Sequence, residues 1–101
     1  MDYTLAINFD NEQMIWTVKV SGEIDIFNSY DFKGEISALI DREAADVVLD
    51  CGDLSYIDST ALGALMTLKK AAEQRERNLT LTNVNPNIQR LLAITNLDKI
   101  F

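Results

Sequence analysis

Two segments near the start of the chain alternate apolar and polar residues, which is the pattern of strands with one buried face. The alternation covers residues 5–9 and 15–20, and a polar run at 10–13 separates them. Because the connection is short and polar, the two segments are predicted to form a β-hairpin, closed by Ser21 and Gly22.

Three later segments carry apolar residues three and four positions apart, the spacing of a helix with one buried face. The first begins at Asn28 or Ser29, the second covers residues 59 to about 75, and the third begins at Asn85 with Pro86 in its first helical position. Their predicted core residues are Phe32, Ile36, Leu39 and Ile40, then Ala61, Leu65, Leu68 and Ala72, then Ile88, Leu91, Leu92 and Thr95.

Short strands are predicted between these helices. The apolar run 47–49 is typical of a central parallel strand buried on both faces, and residues 79–82 form the next strand. The predicted fold class is therefore α/β: one domain over residues 1–101, with a mixed β-sheet, an N-terminal β-hairpin and helices packed on the sheet. The predicted order of elements is β-β-α-β-α-β-α.

Composition and charge narrow the classes of function. Sixteen acidic residues against nine basic ones give a net charge of −7, which argues against a nucleic-acid partner. The first residues lack the features of a signal peptide, and no apolar run approaches the ~18 residues that span a bilayer, so a cytoplasmic protein without membrane association is expected. The single Cys51 is predicted to be a small buried residue, with no disulfide and no metal site.

Residues 50–63 are the most informative segment for function. They are predicted to form the end of an apolar strand and a tight polar loop, after which Asp58 caps a helix. The first turn of that helix holds Ser59 and Thr60. The hydroxyl group of Ser59 is therefore expected to face solvent.

A helical wheel places Gly63 and Met66 on the same side as Ser59, opposite the core stripe. A glycine inside a helix costs about 1 kcal/mol relative to alanine, and close approach by the backbone of another protein is one reason to accept that cost. The three residues therefore suggest a docking surface, with Met66 exposed in the free protein. The alternative is an ordinary solvated face with one stray methionine.

Two kinds of catalysis are disfavoured by the residues around Ser59. A nucleophilic serine needs a base, but the chain has no histidine, and Lys70 lies about three turns along the helix. A phosphoaspartyl receiver centred on Asp50 or Asp53 would need an acidic pair after the first strand and a lysine after a late strand, and both are missing. No catalytic residue is therefore predicted. Ser59 can still accept a phosphoryl group from another enzyme, and the added charge of about −1.5 to −2 would oppose docking.

Three segments taken together resemble the anti-sigma factor antagonists, the STAS-domain proteins of bacterial partner-switching systems. They are residues 22–25 (GEID), 58–63 (DSTALG) and 85–92 (NPNIQRLL). The resemblance implies that Ser59 is the phosphoacceptor, that Thr60 supports it, and that Asp25 and Asp58 lie on the rim that meets the partner. One departure is Ala61, where the family commonly has glycine. Its methyl group falls on the predicted core stripe.

The family resemblance also implies a cycle of binding and release. The unphosphorylated protein would bind an anti-sigma factor that is also a serine kinase, and so free the sigma factor. The kinase would then phosphorylate Ser59 with ATP and dissociate, and a PP2C-type phosphatase would reverse the modification. The ATP and the metal would belong to these partners, so no cofactor is expected on this chain, which would be a monomer when free.

Other STAS functions fit the same residues. One is a constitutive scaffold, or a nucleotide- or anion-binding module in which the turn at Asp58 and Ser59 holds the ligand through backbone N–H groups. Another is an adaptor within a larger signalling assembly. For the switched antagonist, the predicted partner-binding residues are Asp25, Asp58, Thr60, Gly63 and Met66.

Overall fold

The structure is a computed structural model that describes residues 2–101. Its elements are β1 (Tyr3–Asp10), β2 (Ile15–Ile24), α1 (Ser29–Arg42), β3 (Asp46–Ile57), α2 (Ser59–Gln74), β4 (Leu79–Thr82), α3 (Pro86–Ile94) and the short 3₁₀ helix η1 (Leu97–Lys99). One sheet has the order β1-β2-β3-β4; β1 and β2 are antiparallel, and the other neighbours are parallel. The predicted α/β fold, with its hairpin and mixed sheet, is confirmed.

The core lies between one face of the sheet and the helices. Along β2, Trp16, Val18 and Val20 are buried, whereas Thr17 and Lys19 between them are exposed. The chain steps in one direction from β2 to β3 to β4, so right-handed crossovers place α1 and α2 on the same face of the sheet. The other face carries polar side chains such as those of Thr17 and Lys19.

The predicted position of the run 47–49 is correct, but its predicted burial on both faces is wrong. β3 lies between β2 and β4 and is parallel to both. Val47 and Leu49 are buried, while Val48 is half-buried and lies on the opposite side of the pleat. A continuous apolar run therefore occurs here in a strand that the helices cover on one face.

Both β2 and β3 are longer than predicted. β2 continues through Ser21 and Gly22, and β3 continues through residues 50–57, so the tight polar loop predicted there is wrong. The two strands pair as far as Ile24 and Ile57, with register shifts on the way. The chain therefore leaves β2 and β3 at the same edge of the sheet, next to one another.

The core stripes of α1 and α2 are as predicted, and Cys51 is buried. In α3, Ile88 and Leu92 are buried and Leu91 is half-buried, but Thr95 is exposed, so its assignment to the stripe is wrong. Its hydroxyl group donates instead to the main-chain oxygen of Leu91 at 2.8 Å. Within residues 2–101, no helix is both long enough and apolar enough to cross a membrane.

Candidate functional site

The junction between β3 and α2 is built around the side chain of Asp58. Its Oδ1 atom accepts hydrogen bonds from the main-chain N–H of Ala61 at 3.0 Å, which caps α2, and from the hydroxyl group of Thr60. Its Oδ2 atom accepts from the main-chain N–H of Ile26 at 2.9 Å. One carboxylate therefore caps the helix and ties it to the turn between β2 and α1.

These hydrogen bonds also set the charge of the site. Burial acts to raise the pKa of Asp58, but the hydrogen bonds from Thr60, Ala61 and Ile26 together outweigh it and hold the pKa below its ordinary value. Asp58 is consequently ionised at neutral pH. Any group added to Ser59 meets this negative charge on the preceding residue.

Three hydroxyl groups near the junction differ in whether they make a hydrogen bond within the protein. That of Thr60 donates to Asp58, and that of Ser55 donates to the main-chain oxygen of Gly22 at 3.0 Å. Ser59 is exposed in the first turn of α2, and its hydroxyl group makes no hydrogen bond with any residue in the range 2–101. Ser59 is thus the hydroxyl that is available to a second protein.

The predicted accessible position of Asp25 is wrong. Only 4% of this residue is exposed. Its Oδ1 atom accepts from the main-chain N–H of Phe27 at 2.9 Å, and its main-chain oxygen accepts from the N–H groups of Asn28 and Ser29. Asp25 therefore shapes the turn between β2 and α1 from within, as aspartate commonly does in turns.

The predicted exposure of Met66 is also wrong. It is half-buried and packs against the core. Together with Ile100 of the C-terminal segment and with Lys69, Lys70 and Glu73, it lines a cavity of about 110 Å³. A helical wheel treats α2 in isolation and therefore takes no account of the C-terminal segment that approaches it.

Gly63 and Thr60 are exposed and lie on a groove between α1 and α2. A Cβ atom built on Gly63 would have no atom within 4 Å beyond its own helix and chain neighbours, so the glycine leaves this wall of the groove open. The groove has a volume of about 330 Å³ and is lined by Ser29, Tyr30, Lys33, Thr60, Gly63, Ala64 and Thr67. The surface beside Ser59 therefore includes α1 as well as α2.

An exposed apolar cluster just before and at the start of α1 was not predicted from the sequence. Ile26, Phe27 and Tyr30 are 64%, 89% and 79% exposed, respectively. The signal was available: three large apolar residues occur within five positions, beside a strand end and among polar neighbours. The motif and the helical wheel concern only Ser59 and its own helix face, whereas this cluster lies on a different helix and the turn before it.

Comparisons with known proteins find similar sequences and similar structures. The model of the STAS domain family matches residues 6–101. A Staphylococcus epidermidis protein named anti-sigma-B factor antagonist is 33% identical over 82 residues, which are 81% of this chain and 76% of that protein.

Two solved structures share the fold. An anti-sigma factor antagonist from Mycobacterium paratuberculosis matches with a TM-score of 0.83 and 23% identity, over 99% of this chain and 83% of that one. The Bacillus cell fate determinant SpoIIAA, solved in its phosphorylated form, matches with a TM-score of 0.70 and 18% identity, over 93% and 85% of the two chains. With the family match above, the chain belongs to the anti-sigma factor antagonist family of STAS-domain proteins.

Proposed function

We propose that this chain is an anti-sigma factor antagonist switched by phosphorylation of Ser59. The unphosphorylated form binds an anti-sigma factor that has serine kinase activity, and the bound sigma factor is released. Phosphorylation ends the complex, and a PP2C-type phosphatase restores the binding form. The observation that carries the proposal is the free, exposed hydroxyl group of Ser59, since those of Thr60 and Ser55 are already hydrogen-bonded.

The kinase supplies the chemistry of the switch. The Ser59 oxygen attacks the γ-phosphorus of ATP, a new O–P bond forms, and the bond to the β-phosphate oxygen breaks to release ADP. The base that takes the hydroxyl proton belongs to the kinase, because both carboxylate oxygens of Asp58 already accept hydrogen bonds and the pKa of Asp58 is low.

The new phosphate acts on binding through its charge. A phosphoserine carries about −1.5 to −2 charges, and here it stands beside the ionised Asp58 and one turn from Gly63 on the groove. A partner that fits closely around the Ser59 hydroxyl group has to desolvate both anions and has no space for the phosphate, which weakens the complex; its basic side chains lie away from Ser59. The N-terminus of α2 tolerates the phosphate through its dipole, so the fold is expected to persist.

The acceptor is tested with a pair of variants, Ser59→Ala and Thr60→Val. Each is incubated with the purified anti-sigma factor kinase of the host and ATP, and its intact mass is measured. The parent and Thr60→Val should each gain one phosphoryl group, whereas Ser59→Ala should gain none, bind the kinase and resist release by ATP.

Equal phosphorylation of Ser59→Ala and the parent would move the acceptor to Thr60 or Ser55. A parent that binds the kinase but is never phosphorylated would favour the constitutive scaffold or ligand-binding module instead.

A further inference from the structure

The turn between β2 and α1, together with the first turn of α1, holds three large apolar side chains in solvent. We call Ile26, Phe27 and Tyr30 the apolar turn; they are 64%, 89% and 79% exposed. Single exposed apolar residues are ordinary, but a cluster of three that includes two aromatic rings marks an interaction surface.

The backbone of this turn is held firmly. Every main-chain N–H from residue 25 to residue 29 has an acceptor. That of Ile26 donates to Asp58, that of Phe27 to the Asp25 carboxylate, and that of Asp25 to Asn28 Oδ1 at 2.8 Å; those of residues 28 and 29 donate to the main-chain oxygen of Asp25. A preorganised frame lowers the entropy cost of binding, so the apolar side chains are presented ready for a partner.

The apolar turn is continuous with the surface around Ser59. Asp58, the residue before Ser59, accepts the 2.9 Å hydrogen bond from Ile26. Tyr30 lines the groove that also contains Thr60 and Gly63, and it borders a further cavity of about 270 Å³ along α1. An interface of ordinary size centred on Ser59 is therefore large enough to reach the apolar turn as well.

We propose that the apolar turn is the main binding contact for the anti-sigma factor kinase, which meets it with an apolar recess bordered by basic side chains. The proposal rests on the proposed function and adds the surface by which the partner is held. Buried aromatic anchors commonly dominate interface energies. The basic border follows from the net charge of −7 of the whole chain, and it lies on the side of the apolar turn away from Ser59, so it does not compensate a phosphate there.

The test compares Phe27→Ser with Ile94→Ser. Ile94 lies at the end of α3, outside the apolar turn, and is 72% exposed, so it is a matched loss of an exposed apolar side chain. Calorimetric titration with the purified anti-sigma factor kinase of the host, without ATP, should show Kd raised at least about tenfold for Phe27→Ser and essentially unchanged for Ile94→Ser. Thermal unfolding of both should match the parent. Tyr30→Ser provides a second variant should Phe27→Ser unfold.

The remaining outcomes each overturn a defined statement. Equal Kd values for the parent, Phe27→Ser and Tyr30→Ser would overturn this inference while leaving the antagonist function intact. A parent that does not bind the anti-sigma factor kinase of the host would overturn the proposed function and this inference with it. Sedimentation that shows a parental dimer, converted to a monomer by Phe27→Ser, would assign the apolar turn to a second copy of the chain and exclude the kinase as its occupant.

Discussion

Asp58 joins the fold and the candidate site through one carboxylate. Its hydrogen bonds reach the first turn of α2 and the backbone of Ile26, so the position of Ser59 and that of the apolar turn depend on the same side chain. Its pKa is lowered in the folded state, below the value of about 3.9 for a free aspartate. Its stabilising contribution is therefore complete above the unfolded-state pKa and is lost as the pH falls through the folded-state pKa.

Asp58→Asn should expose this dependence. Asparagine still caps α2 through its oxygen, but its amide nitrogen replaces the oxygen that accepts from Ile26. Because water can reach this exposed pair of donors, loss of the hydrogen bond is expected to lower the free energy of unfolding at pH 7 by about 0.5–1.5 kcal/mol, and the loss of stability on acidification should become shallower. Urea unfolding at pH 7 and at several acidic pH values measures both effects.

Asp41→Asn is the control for Asp58→Asn. Its side chain is 80% exposed, and its ion pair with Arg75 spans 4.0 Å, so its removal should leave stability and its pH dependence nearly unchanged. An Asp58→Asn protein with the acid dependence of the parent would mean that another group sets the acid limit of stability.

The positions of the helices could be predicted best from the sequence. The ends of the strands could be predicted least well. α2 could be placed because a capping aspartate precedes a regular apolar stripe. The second half of β3 could not, because Cys51, Leu54 and Ile57 are buried three positions apart and the residues between them are exposed. This spacing arises where β2 and β3 shift register, and it hides the two-residue alternation of a strand.

Gly22 shows the same ambiguity between a turn and a strand. It is predicted to close a hairpin, but it lies within β2 at a register shift, with φ at +99°. A Cβ atom there would stand 2.3 Å from the main-chain oxygen of Asp2. Glycine is required by this close approach, and the same residue type would also be favoured in a turn.

The wrong predictions of exposure concern site residues that are covered by segments distant in sequence. Asp58 and the exposure of Ser59 depend on local capping and could be predicted. The burial of Asp25 and the cover over Met66 depend on tertiary packing, which neither a motif nor a wheel contains. The apolar turn lies beside Ser59 because β2 and β3 end next to one another, and the sequence alone does not show this.

Neighbouring positions in α2 give a test of this packing. Leu65 is buried at 5% exposure, whereas Met66 is half-buried at the small cavity with Ile100. Leu65→Lys should cost more than about 4 kcal/mol and leave the domain largely unfolded, because it buries an unpaired charge. Met66→Lys should cost about 1 kcal/mol, since the lysine can extend its amine to solvent.

Urea denaturation midpoints of Leu65→Lys and Met66→Lys measure the difference. If the Met66→Lys protein were as stable as the parent, Met66 would be exposed, as predicted from the sequence. If Met66→Lys lost as much stability as Leu65→Lys, Met66 would instead belong to the core.

At the scale of the whole molecule, the site follows from the topology of the sheet. β2 and β3 are parallel and pair to Ile24 and Ile57, so their carboxyl ends lie side by side. The segments that leave these ends are the apolar turn and the start of α2, which Asp58 then links. Binding sites in open α/β sheets commonly occupy this edge.

The overall charge of the chain should control the association rate constant of the partner. The apolar turn should control the dissociation rate constant. With a net charge of −7, association with a basic-rimmed partner is electrostatically steered, and salt screens that attraction over a Debye length of about 10 Å at 0.1 M. The association rate constant measured by stopped flow should therefore fall severalfold from low to high salt, while the dissociation rate constant changes little.

Two exposed carboxylates separate local from overall charge in this experiment. Asp31 lies in the first turn of α1 beside Tyr30, and Asp98 lies in η1. Asp31→Asn and Asp98→Asn change the net charge equally, so Asp31→Asn should slow association more if the steering field acts at the proposed interface. Phe27→Ser should show the opposite pattern, with faster dissociation and nearly unchanged association. Equal slowing by the two Asn variants would mean that only the overall charge attracts the partner, and a dissociation rate that rises steeply with salt would mean that ion pairs, rather than the apolar turn, hold the complex.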